Sequence, residues 1–370
     1  MILDVGSLLP TSFRTSVDDP SHMTGPWQPA TVDIQIYYSV QKLFKCSHSS
    51  MEHQFSSLVD PSRYDSKGLI ADIPVRKNLF SEAEYVGSIR AQEDWNVLVG
   101  SIGEFKGGLD PKLSVVSVCI PECLPERLEI ISYANEFAFI YDDATENIAH
   151  DKVRESMNET LELFLQGATT GHINPQGSGK NKIQAQIFNE MAALDRPRAL
   201  ITMKTWAEFL QLTSSRDRSI KFQTLDEYIP YRVWDVGQML IFGLVTFGIG
   251  LTIPDNDMER CTEATRPAFA VIALTNDLFS WERERDAAKR DNMPHVVNAI
   301  WVIMGQHSVS EEEAKQICHS KIAKLVQDYK GIVEQYKKDE SICLGLRKYI
   351  EALQTMSVPG GKIGSQEHQI

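Results

Sequence analysis

Two short segments rich in oxygen-bearing side chains stand out in a chain that otherwise has the apolar spacing of helices. One is residues 142–146, Asp-Asp-Ala-Thr-Glu, and the other is residues 276–284. At about 100° per residue, Asn276, Ser280 and Glu284 fall within about 80° of one another on a helix. Carboxylate, amide and hydroxyl oxygens suit hard divalent cations, and Mg²⁺ usually completes its shell with water and substrate phosphate. We therefore predict two magnesium half-sites that hold a diphosphate between them.

Each segment could instead be an ordinary solvated helix face. The first follows residues 135–140, which are mostly apolar, so its carboxylates emerge from a helix that otherwise faces the interior. Because buried charges are rarely left unpaired, metal ions would resolve that conflict. The second segment has an amide, a hydroxyl and a carboxylate at i, i+4 and i+8. A surface helix stabilised by salt bridges would not require that combination. Arg283 stands beside Glu284 and can donate a charge-assisted bond to a phosphate oxygen.

A third element lies between the two patches. Arg232 and Asp235 are spaced i and i+3, so they are neighbours on a helix. Gly237 permits a local break that would point a backbone carbonyl into a cavity. A simple intrahelical ion pair is the alternative interpretation of Arg232 and Asp235.

The composition narrows the class of protein. The chain has 370 residues, 42% of them hydrophobic and 24% charged, which is ordinary for one large globular domain or two. A net charge of −13 without a block of Lys or Arg argues against nucleic acid or an anionic membrane as partner. The longest apolar run, Met239 to Pro254, is shorter than a membrane span, so a buried core helix is expected. With no basic signal-peptide region and six scattered cysteines, we expect a cytoplasmic protein.

The apolar spacing predicts an all-α fold, a single helical bundle, because no useful length of β alternation appears. We assign residues 1–50 to a poorly ordered arm, 51–355 to the folded domain and 356–370 to a divergent tail. Ser310 and Glu313 form a capping box. The predicted helices cover about 125–141, 147–166, 183–192, 196–213, 229–250, 267–290, 310–336 and 341–355.

In order and spacing, these three motifs resemble those of class I terpene synthases. Residues 90–95, Arg-Ala-Gln-Glu-Asp-Trp, and residues 121–139, which begin Pro-Glu-Cys-Leu-Pro-Glu, are similar to one branch of that family. That branch is the cyclase domains of fungal bifunctional di- and sesterterpene synthases of the fusicoccadiene and ophiobolin F type. The resemblance covers about residues 51–355. It implies an α-helical bundle around a central apolar active-site cavity.

The resemblance also implies a reaction. The chain would bind geranylgeranyl or geranylfarnesyl diphosphate with three Mg²⁺ ions, ionise it, and cyclise the carbocation to a di- or sesterterpene. Arg232 would sense the diphosphate, Asp235 would link it to the helix break, and the Val236 carbonyl would act as effector. The implied metal ligands are Asp142, Asp143, Glu146, Asn276, Ser280 and Glu284. The residues expected to contact substrate are Arg232, Asp235, Asn276, Arg283, Phe139, Phe137, Trp234 and Trp301, although each aromatic side chain could equally belong to the core.

Two features depart from that family pattern. No prenyltransferase domain follows the cyclase region, so a separate prenyltransferase is expected to supply the substrate. The sequence matches through Leu353 but ends without the Arg-Tyr pair that closes on the diphosphate, which leaves weak or absent turnover open. Two alternatives therefore stand beside the cyclase: an inactive helical protein that binds diphosphate, and a chain-elongating prenyltransferase. The second would need another Asp-Asp-x-x-Asp in place of the Asn-Ser-Glu patch.

Overall fold

The computed structural model describes residues 53–69, 73–103, 107–110, 113–146, 150–214 and 220–356, without the side chains of 145–156 and of Ser214. The expected arm at 1–50 and all but the first residue of the tail lie outside the described residues. The helices are α1 (Ser81–Leu98), α2 (Val115–Cys119), α3 (Pro125–Glu146), α4 (His150–Thr170), α5 (Gly179–Ser214), α6 (Leu225–Asp235), α7 (Gln238–Ile249), α8 (Met258–Arg290), α9 (Ala299–His307), α10 (Glu311–Lys338) and α11 (Leu344–Met356). The all-α prediction is confirmed.

Two three-residue strands, β1 (Ser56–Leu58) and β2 (Arg76–Asn78), form an antiparallel ribbon before α1, with Leu58 opposite Arg76. Strands this short carry too little alternation to be recognised in a sequence. They are an addition to the all-α prediction rather than a second layer of the fold.

The predicted break between helices at about residue 195 is confirmed. Asp195 has φ −157° and ψ 85° inside α5, and Pro197 follows. Proline disfavours helical backbone in the residue before it and lacks an amide hydrogen. The Asp195 carboxylate accepts from the Arg198 backbone N–H at 3.3 Å and pairs with Arg127 at 2.9 Å. The break is therefore held by side chains from two helices.

One continuous helix over 229–250 was expected, and that boundary is wrong. The structure has two helices, α6 and α7, joined at Gly237, whose φ of +91° lies in the left-handed region that glycine adopts most readily. The two helices are bent by 47°. The local break anticipated at Gly237 is thus present, and it divides the predicted helix in two.

No single helix of the described residues is long and apolar enough to cross a membrane, and α6 with α7 passes that test only as a bent pair.

Of the helices in the described residues, α8 is the longest without a break, and it packs against α6, α9, α10 and α11. Its buried face includes Phe269, Leu274 and Trp281. On the other side of the fold, α1 packs closely on α3, because a Cβ at Gly87 would lie 2.1 Å from the Glu129 carbonyl oxygen. These packed faces fix the rotation of α3 and α8, and so fix which side chains remain unpacked.

Candidate active site

The C-terminal third of α3 carries the first acidic patch. Along this stretch the side chains of Asn135, Ala138, Phe139 and Asp142 are only partly buried or exposed, while most of their neighbours are buried. Their spacing of i, i+3, i+4 and i+7 makes one stripe on the helix. Asp143 is exposed beside it. Glu146 is the last residue of α3, and its side chain lies outside the described part of the structure.

The second patch lies on α8 and is more deeply set. Asn276 is exposed, Glu284 is half-buried, and Ser280 is only 3% exposed. The Ser280 hydroxyl oxygen has no hydrogen-bond partner among the described residues. Arg283 is exposed next to Glu284. The predicted amide, hydroxyl and carboxylate thus lie along one helix, and the hydroxyl in the middle is the most deeply buried of the three.

Arg232 joins α6 to α8. Its Nε donates to Asp277 Oδ1 at 2.8 Å, and its Nη2 donates to Asn276 Oδ1 at 2.9 Å. Its Nη1 pairs with the Asp235 carboxylate, so the predicted i, i+3 pair is present. Burial alone would lower the pKa of Arg232, but the charges of Asp277 and Asp235 outweigh it and raise that pKa well above its usual value. The guanidinium is therefore charged at every physiological pH.

Asp277 is the centre of this network, although no sequence pattern predicted a role for it. It is fully buried. Its Oδ2 accepts from the Tyr228 hydroxyl at 2.6 Å and from the Ala299 backbone N–H at 2.9 Å, beside the Arg232 bond on Oδ1. A buried carboxylate is costly unless donors satisfy it, and here a guanidinium, a phenol and an amide do so. The position of Asp277 next to Asn276 was visible, but its distant partners were not.

The turn between α6 and α7 begins at Val236, directly after Asp235 of this network. Val236 ends α6 with φ −70° and ψ −2°, and its N–H bonds to the Arg232 carbonyl at 2.9 Å. Within the described residues, no donor is assigned to the Val236 carbonyl oxygen. Gly237 in the left-handed conformation breaks the helical ladder at this point. The effector role expected of the Val236 carbonyl stays a prediction.

The four aromatic side chains expected to form the cavity wall have different surroundings. Phe137 is 6% exposed and packs on Trp95 and Tyr141, with ring centroids 5.9 and 6.0 Å apart. Phe139 and Trp301 are exposed by 39% and 41%, and Trp234 is half-buried. Phe137 thus shares its ring contacts with the core, while Phe139 remains on the unpacked stripe of α3. The role of each in a cavity stays a prediction.

A divalent cation fits the donors of the second patch. All three side chains offer oxygen, and the buried Ser280 hydroxyl has no protein partner in the described part. No three His, Cys, Asp or Glu side chains gather into a closed cage in that part of the chain. Mg²⁺ is usually held by one or two carboxylates with water and substrate phosphate, so an open half-site is the appropriate form. The approach of the α3 carboxylates to this half-site stays a prediction.

Known proteins resemble this chain in sequence and in fold. Residues 133–328 match the family model described as terpene synthase family 2, C-terminal metal binding. Fusicoccadiene synthase of Phomopsis amygdali is 47% identical over 323 residues, which are 86% of this chain and 45% of that protein. Ophiobolin F synthase of Cochliobolus heterostrophus is 41% identical over 307 residues, 82% of this chain and 41% of that protein. The chain therefore spans less than half the length of these curated relatives.

A solved structure, that of aristolochene synthase from Penicillium roqueforti, has the same fold. It superposes with a TM-score of 0.62 at 17% identity, covering 75% of this chain and 93% of that one. At this identity the likeness concerns the fold alone. It agrees with the all-α bundle, and the reaction must be inferred from the side chains of the site.

Proposed function

We propose that this chain, which belongs to the terpene synthase family, is a Mg²⁺-dependent terpene cyclase. Its substrate would be geranylgeranyl or geranylfarnesyl diphosphate, and its products a di- or sesterterpene and diphosphate. The observation that carries the proposal is the Arg232 network, in which a cation whose side chain is 12% exposed contacts Asn276 of the second patch at 2.9 Å. Such a group can bind a diphosphate where its departing charge develops.

The proposed metal ligands are divided between two helices. They are Asp142, Asp143, Glu146, Asn276, Ser280 and Glu284. When bound, the Mg²⁺ ions would act as Lewis acids that neutralise the charge of the leaving group. We propose that α3 and α8 present these oxygens to the same diphosphate, with Arg283 as a further donor to it.

Arg232 and Asn276 hold each other in the present arrangement. A diphosphate oxygen that accepts from Arg232 Nη2 would release Asn276 Oδ1, which could then serve as a cation ligand. Asp277 would keep its own bond to Arg232 Nε, so the guanidinium stays anchored during this exchange. Arrival of the diphosphate is thus coupled to completion of the second half-site. Asp235 and the Val236 carbonyl would link this exchange at Arg232 to the helix break at Gly237.

Ionisation of the substrate leaves an allylic carbocation, so no protein nucleophile is required. The remaining task of the protein is to fold the hydrocarbon chain and to exclude water. The aromatic side chains of Phe139, Phe137, Trp234 and Trp301 are proposed to supply π faces that stabilise the cation. The product's ring system would then follow from the shape of this wall.

The domain assignment remains part of the proposal. Residues 51–355 would form the cyclase domain, and the polyprenyl diphosphate would come from a prenyltransferase. The five cysteines for which the structure gives a state are free thiols, which supports the expected cytoplasmic location.

The test is incubation of the purified chain with each diphosphate and Mg²⁺, followed by extraction and mass spectrometry. Cyclic hydrocarbons or alcohols that disappear with EDTA support the cyclase. Longer linear diphosphates formed with added isopentenyl diphosphate would show a prenyltransferase instead. Binding of diphosphate without any product would show an inactive relative.

A further inference from the structure

The N-terminus of α9 reaches both arms of the second patch. Asn298, which is fully buried, caps this helix, because its Oδ1 accepts from the Ile300 backbone N–H at 2.8 Å. Its Nδ2 donates to the Asp277 carbonyl oxygen at 2.9 Å and to Glu284 Oε2 at 3.0 Å. The next residue, Ala299, donates its N–H to the Asp277 carboxylate. One turn of helix therefore touches the residue that anchors Arg232 and a proposed metal ligand.

We infer that Asn298 is a positioning residue that sets the Glu284 carboxylate for a divalent cation; this inference rests on the proposed function. A helix cap requires only an acceptor oxygen, which Ser, Thr or Asp also supplies. Asn298 uses its amide nitrogen as well, and both donors of that nitrogen are engaged. The bond to Glu284 Oε2 fixes one carboxylate oxygen and thereby orients the other.

The same amide ties the two ends of the patch together. Asp277 follows Asn276 directly, whereas Glu284 lies two helical turns further along α8. Because Asn298 bonds to the backbone of one and the side chain of the other, it holds Glu284 in register with Asn276 and Arg232. Partners that orient metal ligands in this way commonly contribute 10- to 100-fold (about 1.4–2.7 kcal/mol) to metal affinity.

Asn298→Ser separates this role from helix capping, since serine keeps an acceptor oxygen but has no donor that reaches Glu284. The readouts are Mn²⁺ affinity in the presence of inorganic diphosphate, by calorimetry, and the melting temperature of the metal-free protein. We expect Mn²⁺ affinity to fall about 10- to 100-fold. Ser310→Ala, which removes the cap of α10, is the matched control: it should lower the melting temperature by a few degrees and leave Mn²⁺ affinity unchanged.

Glu284→Gln gives a second and independent test. If Asn298 acts through Glu284, the Mn²⁺ affinity of the double variant should be no weaker than that of Glu284→Gln alone. Additive losses, or an Asn298→Ser protein that binds Mn²⁺ as tightly as the wild type, would overturn the inference. A wild-type protein that binds no Mn²⁺ with diphosphate would instead remove the proposed function, and the inference with it.

Discussion

The acidic patches on α3 and α8 differ in how the surrounding protein holds them. Asp142 and Asp143 are exposed at the end of a helix. On α8, Asn276 accepts a hydrogen bond from Arg232 and Glu284 accepts one from Asn298. Asp277, on the same helix, is fully buried. A preorganised site spends less free energy on ordering when its ligand binds. Arg232 and Asn298 thus position Asn276 and Glu284 on α8, and we propose that diphosphate completes this half-site when it releases Asn276 Oδ1 from Arg232.

The contrast predicts that removal of Asp277 affects both stability and activity. Asp277→Ala removes the fully buried carboxylate from its ion pair with Arg232, and loss of one partner of a buried pair typically costs about 3–5 kcal/mol of unfolding free energy. Urea denaturation would measure the loss, and product formation should disappear as well. The control is Asp286→Ala on the same helix, where the carboxylate is 60% exposed and a change below about 0.5 kcal/mol is expected. Similar losses in the two variants would contradict the central place given to Asp277.

Asp142→Ala should separate activity from stability. Because Asp142 is exposed, the unfolding free energy should change by less than about 0.5 kcal/mol. If it binds metal as proposed, diphosphate release should fall at least about 1,000-fold, the equivalent of about 4 kcal/mol of lost transition-state stabilisation. Glu282→Ala, which removes another exposed carboxylate, should retain full release. Undiminished release in Asp142→Ala would overturn the metal assignment on α3.

Tyr228→Phe tests the network more gently. It removes one 2.6 Å hydrogen bond to the buried Asp277 and leaves the Arg232 and Ala299 bonds in place. A hydrogen bond to a charged group is worth about 1.5–3 kcal/mol, so the unfolding free energy should fall by about that amount. We expect a smaller effect on turnover than from Asp277→Ala, because the ion pair remains. A turnover loss as large as that of Asp277→Ala would place the hydroxyl in the reaction itself.

The smallest effect is expected at the cap of α10. Ser310→Ala removes an exposed N-cap, at a cost of about 1 kcal/mol of unfolding free energy. Product formation per folded molecule should not change. A loss of turnover here would mean that stability and activity are not separable in this fold, and it would weaken each comparison above.

Much of the fold could be predicted because its signals are local. The Ser310–Glu313 capping box, the break near Pro197 and the turn at Gly237 are all present. Each depends on residues within a few positions of one another, so side-chain chemistry alone is informative. The boundary error at 229–250 has the same origin, since the apolar run continues across Gly237 and hides the bend.

The parts that could not be predicted depend on residues far apart in the sequence. Helical spacing shows that Arg232 and Asp235 are neighbours, but it cannot indicate that Asp277 accepts a hydrogen bond from Arg232 Nε. The helix α9 was missed because nine residues give little periodicity, although Asn298 before an apolar run is a cap signal. Its bond to Glu284 follows only from how α9 packs on α8.

The central claim is that the oxygens of α3 and α8 bind metal ions around one diphosphate. A crystal structure with Mg²⁺ and inorganic diphosphate tests it most directly. We predict that Asp142 on one side and Asn276, Ser280 and Glu284 on the other each lie within about 2.0–2.1 Å of an Mg²⁺ ion that shares the diphosphate. A bound diphosphate that leaves either patch without metal would contradict the account.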